Sequence, residues 1–429
     1  MRFDLNFDYI KPELRFKNED YKELVKKYDK MLVEKTGEGN EFLGWLDYAS
    51  TIDPQFVDSM IEKANEFRAN FDTLVVCGIG GSYLGSRAVI EAINGLYSED
   101  KMEIVYLGQT LDSNYTVQTL KHLEKRNFCV CVISKSGTTT ETSISFRILK
   151  TMLEEKLGKE GASKAIVAVT DKEKGALRQL ATQEGYTTFE LPANIGGRYS
   201  VITPVGLFPI ACAGIDIREF IKGFVEGEKM FGSDDLDKNP AYQYACQKNV
   251  LYNLGYKVEF GICYEPRLAM LNEWQKQLFD ESNGKEDKGL LIMSSIFTTD
   301  LHSLGQFIQE GSKILFETVL TFEEPNYDLE IPYDEENLDG LNYIAGKKLS
   351  YVCEKAHEGT TTAHAFNGNV PNIEIKVGKL TPESLGMYMY FSMKACAMGG
   401  YLLEINPFNQ PGVEVYKRNM FHLLGKKGY

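Results

Sequence analysis

The sequence predicts an α/β protein built on two doubly wound parallel sheets. Short apolar and β-branched runs alternate with segments of helical length through most of the 429 residues, and this alternation occurs in two successive series. Strands that are apolar throughout, with crossover helices between them, are typical of parallel sheets covered on both faces. The chain is also long enough for two or three domains, each with its own core.

The first series contains five candidate strands and two clear helical segments. The strands are 73–77, 103–107, 128–133, 165–169 and 187–191, and the helices lie within 84–93 and 141–155. The second series is less regular, with candidate strands at 257–263, 290–294, 313–319 and 372–377. Thr381 followed by Pro382 is a typical helix start and predicts a long helix to about residue 404.

These patterns divide the chain into four parts. Residues 1–45 form a helical arm, 46–205 the first sheet domain and 206–405 the second. Residues 406–429 form a C-terminal segment that returns to the active site.

Composition excludes several classes of protein. The chain has 47 basic and 61 acidic residues, a net charge of −14, and no Lys/Arg-rich block, which argues against partnership with nucleic acid or an anionic membrane. Its five histidines show no H-x-x-x-H spacing, so no metal site is predicted. The N-terminus lacks an apolar core, so no signal peptide is predicted. The eight cysteines mostly lie in apolar runs, which favours a reducing cytoplasm.

Two loops are suited to bind an anion. Gly78–Gly85 follows the first strand and precedes a helix, but Tyr83 stands where a dinucleotide fingerprint needs glycine, and a tight turn without ligand is the alternative. Ser134–Thr142 follows the third strand and carries six hydroxyls in nine residues, more than helix capping alone requires. Both loops leave the carboxyl edge of one sheet, so together they predict a site for a phosphorylated small molecule.

Four further motifs carry residues suited to proton transfer or charge stabilisation. They centre on Arg198 after Gly196 and Gly197, Glu281 near a helix end, His302 at a helix start, and Lys417 near the C-terminus. For each residue taken alone, a surface or structural role is the alternative.

Six segments in this order resemble the phosphoglucose isomerase family in its shorter bacterial form. They are Gly-Ile-Gly-Gly-Ser at 78–82, Ser-Lys-Ser-Gly-Thr-Thr-Thr-Glu-Thr at 134–142, Gly-Gly-Arg-Tyr-Ser at 196–200, Glu-Ser-Asn-Gly-Lys at 281–285, His-Ser-Leu-Gly-Gln at 302–306 and Gln-x-Gly-Val-Glu-x-x-Lys at 410–417. The first two occur throughout the wider sugar-isomerase (SIS) fold, including sugar-phosphate sensors. The Glu, His and Lys segments are specific to the isomerase, and the resemblance spans about 42–420.

The resemblance implies two SIS domains and a cofactor-independent interconversion of glucose 6-phosphate and fructose 6-phosphate in glycolysis and gluconeogenesis. It assigns proton transfer between C2 and C1 to Glu281, ring opening to His302 and Lys417, and stabilisation of the enediolate to Arg198. In the family the histidine comes from the neighbouring subunit, so a homodimer is implied. The substrate-binding residues implied in the same way are Gly81, Ser82, Ser134, Lys135, Ser136, Thr138, Thr139, Gly197, Gln277 and Gln410.

The chemistry is consistent with these residue types. One base that removes and returns a proton suffices for an enediol mechanism, and a fixed cation stabilises the charged intermediate more than the neutral sugar. Two residues depart from the expected pattern. Asp280 would either act on the neighbouring Glu281 or face solvent, and Pro411 replaces an aromatic and leaves the path to Lys417 open. Two alternative functions are a sugar-phosphate sensor without chemistry and an isomerase that acts on mannose 6-phosphate, either as its substrate instead or as a second substrate.

Overall fold

Two five-stranded sheets form the framework of the chain, whose residues 2–97 and 102–428 are described by a computed structural model. The strands are β1 (Phe3–Asn6), β2 (Thr73–Cys77), β3 (Glu103–Leu107), β4 (Phe128–Ile133), β5 (Ile166–Thr170), β6 (Thr187–Glu190), β7 (Val258–Cys263), β8 (Leu291–Ile296), β9 (Leu315–Glu324) and β10 (Asn372–Lys379). Short 3₁₀ turns and one π-helical turn at Ala363–Asn367 lie between them.

Helices cover the sheets and connect their strands. They are α1 (Asn18–Val33), α2 (Tyr48–Thr51), α3 (Pro54–Asn70), α4 (Leu84–Asn94), α5 (Ser113–Leu123), α6 (Thr140–Lys164), α7 (Ala176–Glu184), α8 (Pro204–Cys212), α9 (Ile217–Met230), α10 (Pro240–Asn253), α11 (Ala269–Asn283), α12 (Leu301–Glu310), α13 (Leu349–Thr362), α14 (Pro382–Leu402) and α15 (Val413–Leu423). No helix in the described part of the chain is long and apolar enough to cross a membrane.

The first sheet has the strand order β3-β2-β4-β5-β6, and all of its strands are parallel. Every residue of β2, β4 and β5 is buried, which confirms the expectation from their uninterrupted apolar runs. Because β2 and β4 are neighbours, the loops that follow them leave the same carboxyl edge. We call these two segments the glycine loop (residues 78–85) and the hydroxyl-rich loop (residues 134–142).

The second sheet has the order β1-β10-β9-β7-β8, and its one antiparallel strand is β1. The predicted α/β class is confirmed with this exception. The N-terminal arm was expected to be helical, and it contains α1, but its first residues pair with β10 in the register Leu5↔Ile375. A four-residue edge strand is too short for its pattern of apolar and polar residues to distinguish it from a loop.

Helix α14 lies in the core of the second half of the chain. Its start follows the predicted signal, because the Thr381 hydroxyl accepts a hydrogen bond from Ser384 N at 3.1 Å. The helix is buried along nearly all of its length and packs against α9, α10 and α11. Gly223 of α9 lets the two backbones meet, since a Cβ there would lie 2.0 Å from Glu383 O.

Helix α11 lies where the two halves of the chain meet. Its apolar side chains Leu271, Trp274 and Leu278 are buried, and the helix contacts α4 of the first half and β8 of the second. Its last turn therefore lies in the cleft between the two sheets.

Candidate active site

Glu281 and Arg198 form the centre of this cleft. Glu281 lies in the last turn of α11, and its Oε2 atom is 3.6 Å from Arg198 Nη1. The Arg198 side chain is 2% exposed and the Glu281 side chain 28% exposed. A carboxylate that solvent or substrate can reach thus faces a cation that is fixed in the interior.

Arg198 is held by four further acceptors. Its Nε donates to Ser282 Oγ at 2.6 Å, and its Nη1 donates to Gln410 Oε1 at 3.1 Å. Its Nη2 donates to two main-chain carbonyls, Pro407 O at 2.8 Å and Asn409 O at 3.2 Å. The planar fork of the guanidinium suits this arrangement, which a lysine could not reproduce.

Gln277 connects the carboxylate to the glycine loop. Its Nε2 donates to Glu281 Oε2 at 3.2 Å, as residues four apart on one helix face can do. A Cβ at Gly80 would lie 3.0 Å from the same Nε2 atom, and a Cβ at Gly81 would lie 2.0 Å from Gly197 O. Ser82 ends this turn half-buried, so the structure brings the predicted residues around Glu281 together from four separate segments.

The hydroxyl-rich loop is ordered by its own polar groups. Ser134 Oγ accepts from Gly137 N at 2.9 Å, and Ser136 Oγ lies 2.9 Å from Thr138 Oγ1. Thr139 precedes the first turn of α6, where unpaired main-chain N–H groups and the helix dipole favour an anion. The exposed hydroxyls of Ser136 and Thr138 therefore lie beside a helix N-terminus, as a phosphate site requires.

Lys135 is exposed in this loop, and its Nζ donates to Ala193 O at 2.9 Å. This contact ties the hydroxyl-rich loop to the segment that leads to Gly197 and Arg198. Gly197 is exposed, and a Cβ there would meet no atom within 4 Å, so its backbone borders open space in the cleft.

The C-terminal segment completes the cleft. Residues 403–412, which we call the strap, connect α14 to α15 and carry Gln410. Lys417 follows on α15, where its Nζ lies 2.7 Å from Glu414 Oε1. The hydrogen bond to Glu414 raises the pKa of Lys417, and the negative charge of Glu281 contributes in the same direction. Lys417 therefore stays a cation within the electrostatic reach of Glu281.

His302 lies apart from this group. It is exposed in the first turn of α12, and its imidazole has no hydrogen bond or ion pair with any described residue. The structure thus joins Glu281, Arg198, Gln277, Gln410 and the glycine loop within one chain, and does not bring His302 to them. Across residues 2–97 and 102–428, no cluster of three His, Cys, Asp or Glu side chains is arranged to hold a metal ion.

Comparison with known proteins identifies the family. The family model for phosphoglucose isomerase matches residues 55–426. This chain belongs to the phosphoglucose isomerase family.

Relatives within the phosphoglucose isomerase family match nearly the whole chain. A glucose-6-phosphate isomerase of Mycoplasma mycoides subsp. mycoides is 50% identical over 405 residues, which is 94% of this chain and 95% of the relative. One from Staphylococcus aureus (strain NCTC 8325 / PS 47) is 51% identical over 409 residues, 95% of this chain and 92% of the relative. The crystal structure of a glucose-6-phosphate isomerase from Chlamydia trachomatis covers 99% of this chain and 88% of its own, with a TM-score of 0.82 at 22% identity, and supports the fold.

The expectation that Asp280 faces solvent is wrong, and its action on Glu281 stays a prediction. Its Oδ1 accepts a hydrogen bond from Ile292 N of β8 at 2.9 Å, on the inner side of α11. Burial raises the pKa of Asp280 to about 6, against the opposing effect of this hydrogen bond. Asp280 therefore connects the end of α11 to the second sheet.

Pro411 does not divert the chain from the cleft. Its carbonyl accepts from Glu414 N at 3.3 Å, and α15 begins at Val413 and carries Lys417. Proline is compatible with a position just ahead of a helix, where its missing N–H is not needed.

Two groups at this site were not predicted from the sequence. Ser282 accepts from Arg198, and Lys285 Nζ donates to Asn406 O of the strap. Both belong to the Glu-Ser-Asn-Gly-Lys segment at 281–285, so the motif itself was the signal. Their partners are distant in sequence, which hid their roles.

Proposed function

We propose that this chain interconverts glucose 6-phosphate and fructose 6-phosphate without a cofactor. The observation that carries the proposal is the pairing of an accessible carboxylate, Glu281, with a buried cation, Arg198, at 3.6 Å in a cleft lined by glycine and hydroxyl loops. Membership of the phosphoglucose isomerase family and the names of its close relatives support the same substrate pair.

Glu281 is the base of the proposed mechanism. It takes the proton from C2 of the open-chain aldose and returns it to C1, so that an enediolate lies between the two sugars. Gln277 orients the carboxylate through the hydrogen bond to Oε2. One group both removes and returns the hydrogen, so the reaction requires no external oxidant or reductant.

Arg198 stabilises the enediolate. Negative charge develops on the sugar oxygens only as the proton leaves, so a preorganised cation favours the intermediate over the neutral substrate. The Gly197 backbone borders the open space beside Arg198, and Gly81 and Ser82 contact the sugar from the opposite loop. Gln410 lines the path of the substrate.

The hydroxyl-rich loop binds the phosphate. Ser134, Ser136 and Thr139 supply hydroxyl groups, with Thr138 nearby, at the N-terminus of α6, and Lys135 supplies positive charge. Such a site recognises the phosphate common to both sugars, so that C1 and C2 remain accessible to the Glu281 carboxylate. Binding through this remote group also orients the sugar for proton transfer.

Ring opening is assigned to His302 and Lys417, with His302 supplied by the partner in a homodimer. Two features support this assignment. His302 is exposed and has no side-chain partner in the described chain. The segment before α13 exposes large apolar side chains, a feature typical of protein interfaces: Tyr327, Leu329, Tyr333, Leu338 and Tyr343.

We also propose a cytoplasmic enzyme organised as the sequence predicts, with an arm at 1–45, SIS domains at 46–205 and 206–405, and a C-terminal segment at 406–429. Seven of the eight free cysteines are buried and the eighth is half-buried, which suits a reducing compartment.

The test is a coupled assay with fructose 6-phosphate, glucose 6-phosphate and mannose 6-phosphate compared side by side. We expect rapid interconversion of the first two sugars and at most slow turnover of mannose 6-phosphate. Binding of the sugar phosphates without any turnover would support the sensor and overturn the proposal. Comparable turnover of mannose 6-phosphate would support the broader isomerase instead.

A further inference from the structure

The strap is held at its main chain by three cations. Arg198 Nη2 donates to Pro407 O and Asn409 O, and Lys288 Nζ donates to Leu403 O at 3.0 Å. Lys285 Nζ donates to Asn406 O, between these two attachment points. Carbonyl groups bound by charged donors make strong hydrogen bonds, so this set of contacts fixes the course of residues 403–409.

Lys285 is an unusual member of this set. It is half-buried and lies four residues after Glu281, directly beyond the end of α11. The charged or titratable groups that face it are Arg198, Glu281, Glu286 and the buried thiol of Cys396. Burial and the neighbouring Arg198 lower its pKa to about 8, whereas Glu281, Glu286 and Cys396 act in the opposite direction.

Two consequences follow from this position. Four of the five N–H groups of Arg198 donate to Ser282, Gln410 and two strap carbonyls, and its Nη1 also faces Glu281, so Lys285 is the cation that donates to Asn406 O. When the Lys285 ammonium loses its proton, the contact with Asn406 O becomes an ordinary, weaker hydrogen bond. The strap is then held less firmly immediately before Gln410.

We propose that Lys285 is a positioning residue for the isomerisation, holding the strap at Asn406 so that Gln410 and Lys417 remain at the cleft beside Glu281. This inference rests on the proposed function of those three residues. Lys285 acts on the strap through a main-chain carbonyl and does not touch the sugar.

The experiment compares Lys285→Met and Lys285→Arg with the matched control Lys276→Met. Lys276 is a partly exposed residue of α11 whose ion pair is to Glu273. We measure kcat and KM for fructose 6-phosphate from pH 6.5 to 9.5, and monitor folding by circular dichroism and melting temperature.

We expect Lys285→Met to lower kcat/KM about tenfold or more near pH 7, as the loss of one charged hydrogen bond predicts. Lys285→Arg should retain activity within about threefold and shift the alkaline decline upward by about one pH unit or more, because arginine stays charged. The Lys276→Met control should match the wild type. If Lys285→Met fails to fold, the pH profile of Lys285→Arg still decides the proposal.

A Lys285→Met enzyme with the rate and pH profile of the wild type would overturn the inference, as would an unchanged alkaline decline in Lys285→Arg. Failure of the proposed function gives a different result. In that case the wild type binds the sugar phosphates without turnover, or Glu281→Gln retains activity, whereas failure of the Lys285 proposal alone leaves the wild type active and Glu281→Gln inactive.

Discussion

The carboxylate of Glu281 lies 3.6 Å from the guanidinium of Arg198. The two side chains differ in the number of hydrogen bonds that hold them in place. Arg198 cannot turn away, because its remaining N–H groups bind Ser282, Gln410 and two carbonyls of the strap. Glu281 has one side-chain hydrogen bond, from Gln277. This asymmetry suits a mobile base that works against a fixed charge.

Arg198→Lys should therefore reduce both activity and stability strongly, although it retains the positive charge. A lysine places one compact ammonium where the guanidinium binds four acceptors, so the carbonyls of Pro407, which is buried, and Asn409 lose their donor. We expect kcat to fall about 10²- to 10³-fold, the loss typical of a removed electrostatic stabiliser. The measurement is steady-state kinetics together with thermal unfolding, which should show a lower melting temperature. Near-normal kcat would contradict the role assigned to the fork.

The hydroxyl-rich loop should govern binding more than chemistry. Ser136→Ala removes one hydroxyl from the phosphate site, and we expect KM for fructose 6-phosphate to rise about tenfold, which corresponds to about 1.4 kcal/mol, with little change in kcat. Inhibition by inorganic phosphate should weaken in parallel. Thr151→Ala, on the exposed side of α6, is the control and should change neither constant. A fall in kcat without a change in KM would place Ser136 elsewhere in the reaction.

A site shared between subunits can be tested by mixing two inactive variants. Glu281→Gln and His302→Ala should each be inactive alone. If His302 acts in the partner's site, each mixed dimer contains one intact site, and random reassociation restores about a quarter of wild-type activity. The measurement is activity after the two variants are unfolded and refolded together. A refolded mixture that stays inactive, although heterodimers form, would show that both residues act within one chain.

Asp280 provides a prediction about stability. The pKa of its carboxyl is about 6 in the fold, above the ordinary value of 3.8, so the folded state binds more protons than the unfolded chain between about pH 4 and 6. The free energy of unfolding therefore falls as pH rises through this window, and the charged carboxylate is destabilising at pH 7. A shift of this size corresponds to about 3 kcal/mol, which partial exposure reduces to about 1–2 kcal/mol.

Asp280→Asn removes this charge and keeps an oxygen to accept from Ile292 N. We expect the variant to be about 1–2 kcal/mol more stable than the wild type at pH 7 and equally stable near pH 4. Urea unfolding at both pH values measures the difference. A variant that is less stable at pH 7 would show that the charge itself holds α11 in place.

The strands of this fold could be predicted from the sequence because local pattern alone determines them. Runs such as 128–133 and 166–169 are apolar at every position, which is typical of a strand buried on both faces. The start of α14 likewise depends on residues next to one another in sequence, Thr381 to Ser384. By contrast β1 is a strand only because β10 pairs with it, more than 360 residues away.

The site residues divide in the same way, into those that local sequence indicates and those that depend on contacts between distant parts of the chain. Glu281, Arg198 and the hydroxyl-rich loop could be predicted from their motifs, because the residue types in each motif directly indicate its chemistry. The sequence could not show that the Arg198 fork ends on carbonyls of 407 and 409, because main-chain acceptors leave no trace in residue type. For the same reason neither the contact of Lys285 with Asn406 O nor that of Asp280 with Ile292 N was foreseen.

The most direct test of the central claim is hydrogen exchange at C2 of glucose 6-phosphate in ²H₂O, followed by ¹H NMR with wild-type enzyme and Glu281→Gln. The proposed mechanism predicts that the wild type exchanges the C2 hydrogen with solvent during turnover. Glu281→Gln should lose exchange and isomerisation together by about 10³-fold or more, because the base is gone. It should still bind the sugar phosphate within a few-fold. Retention of C2 exchange by Glu281→Gln at a rate near that of the wild type would contradict the role of Glu281 as the base.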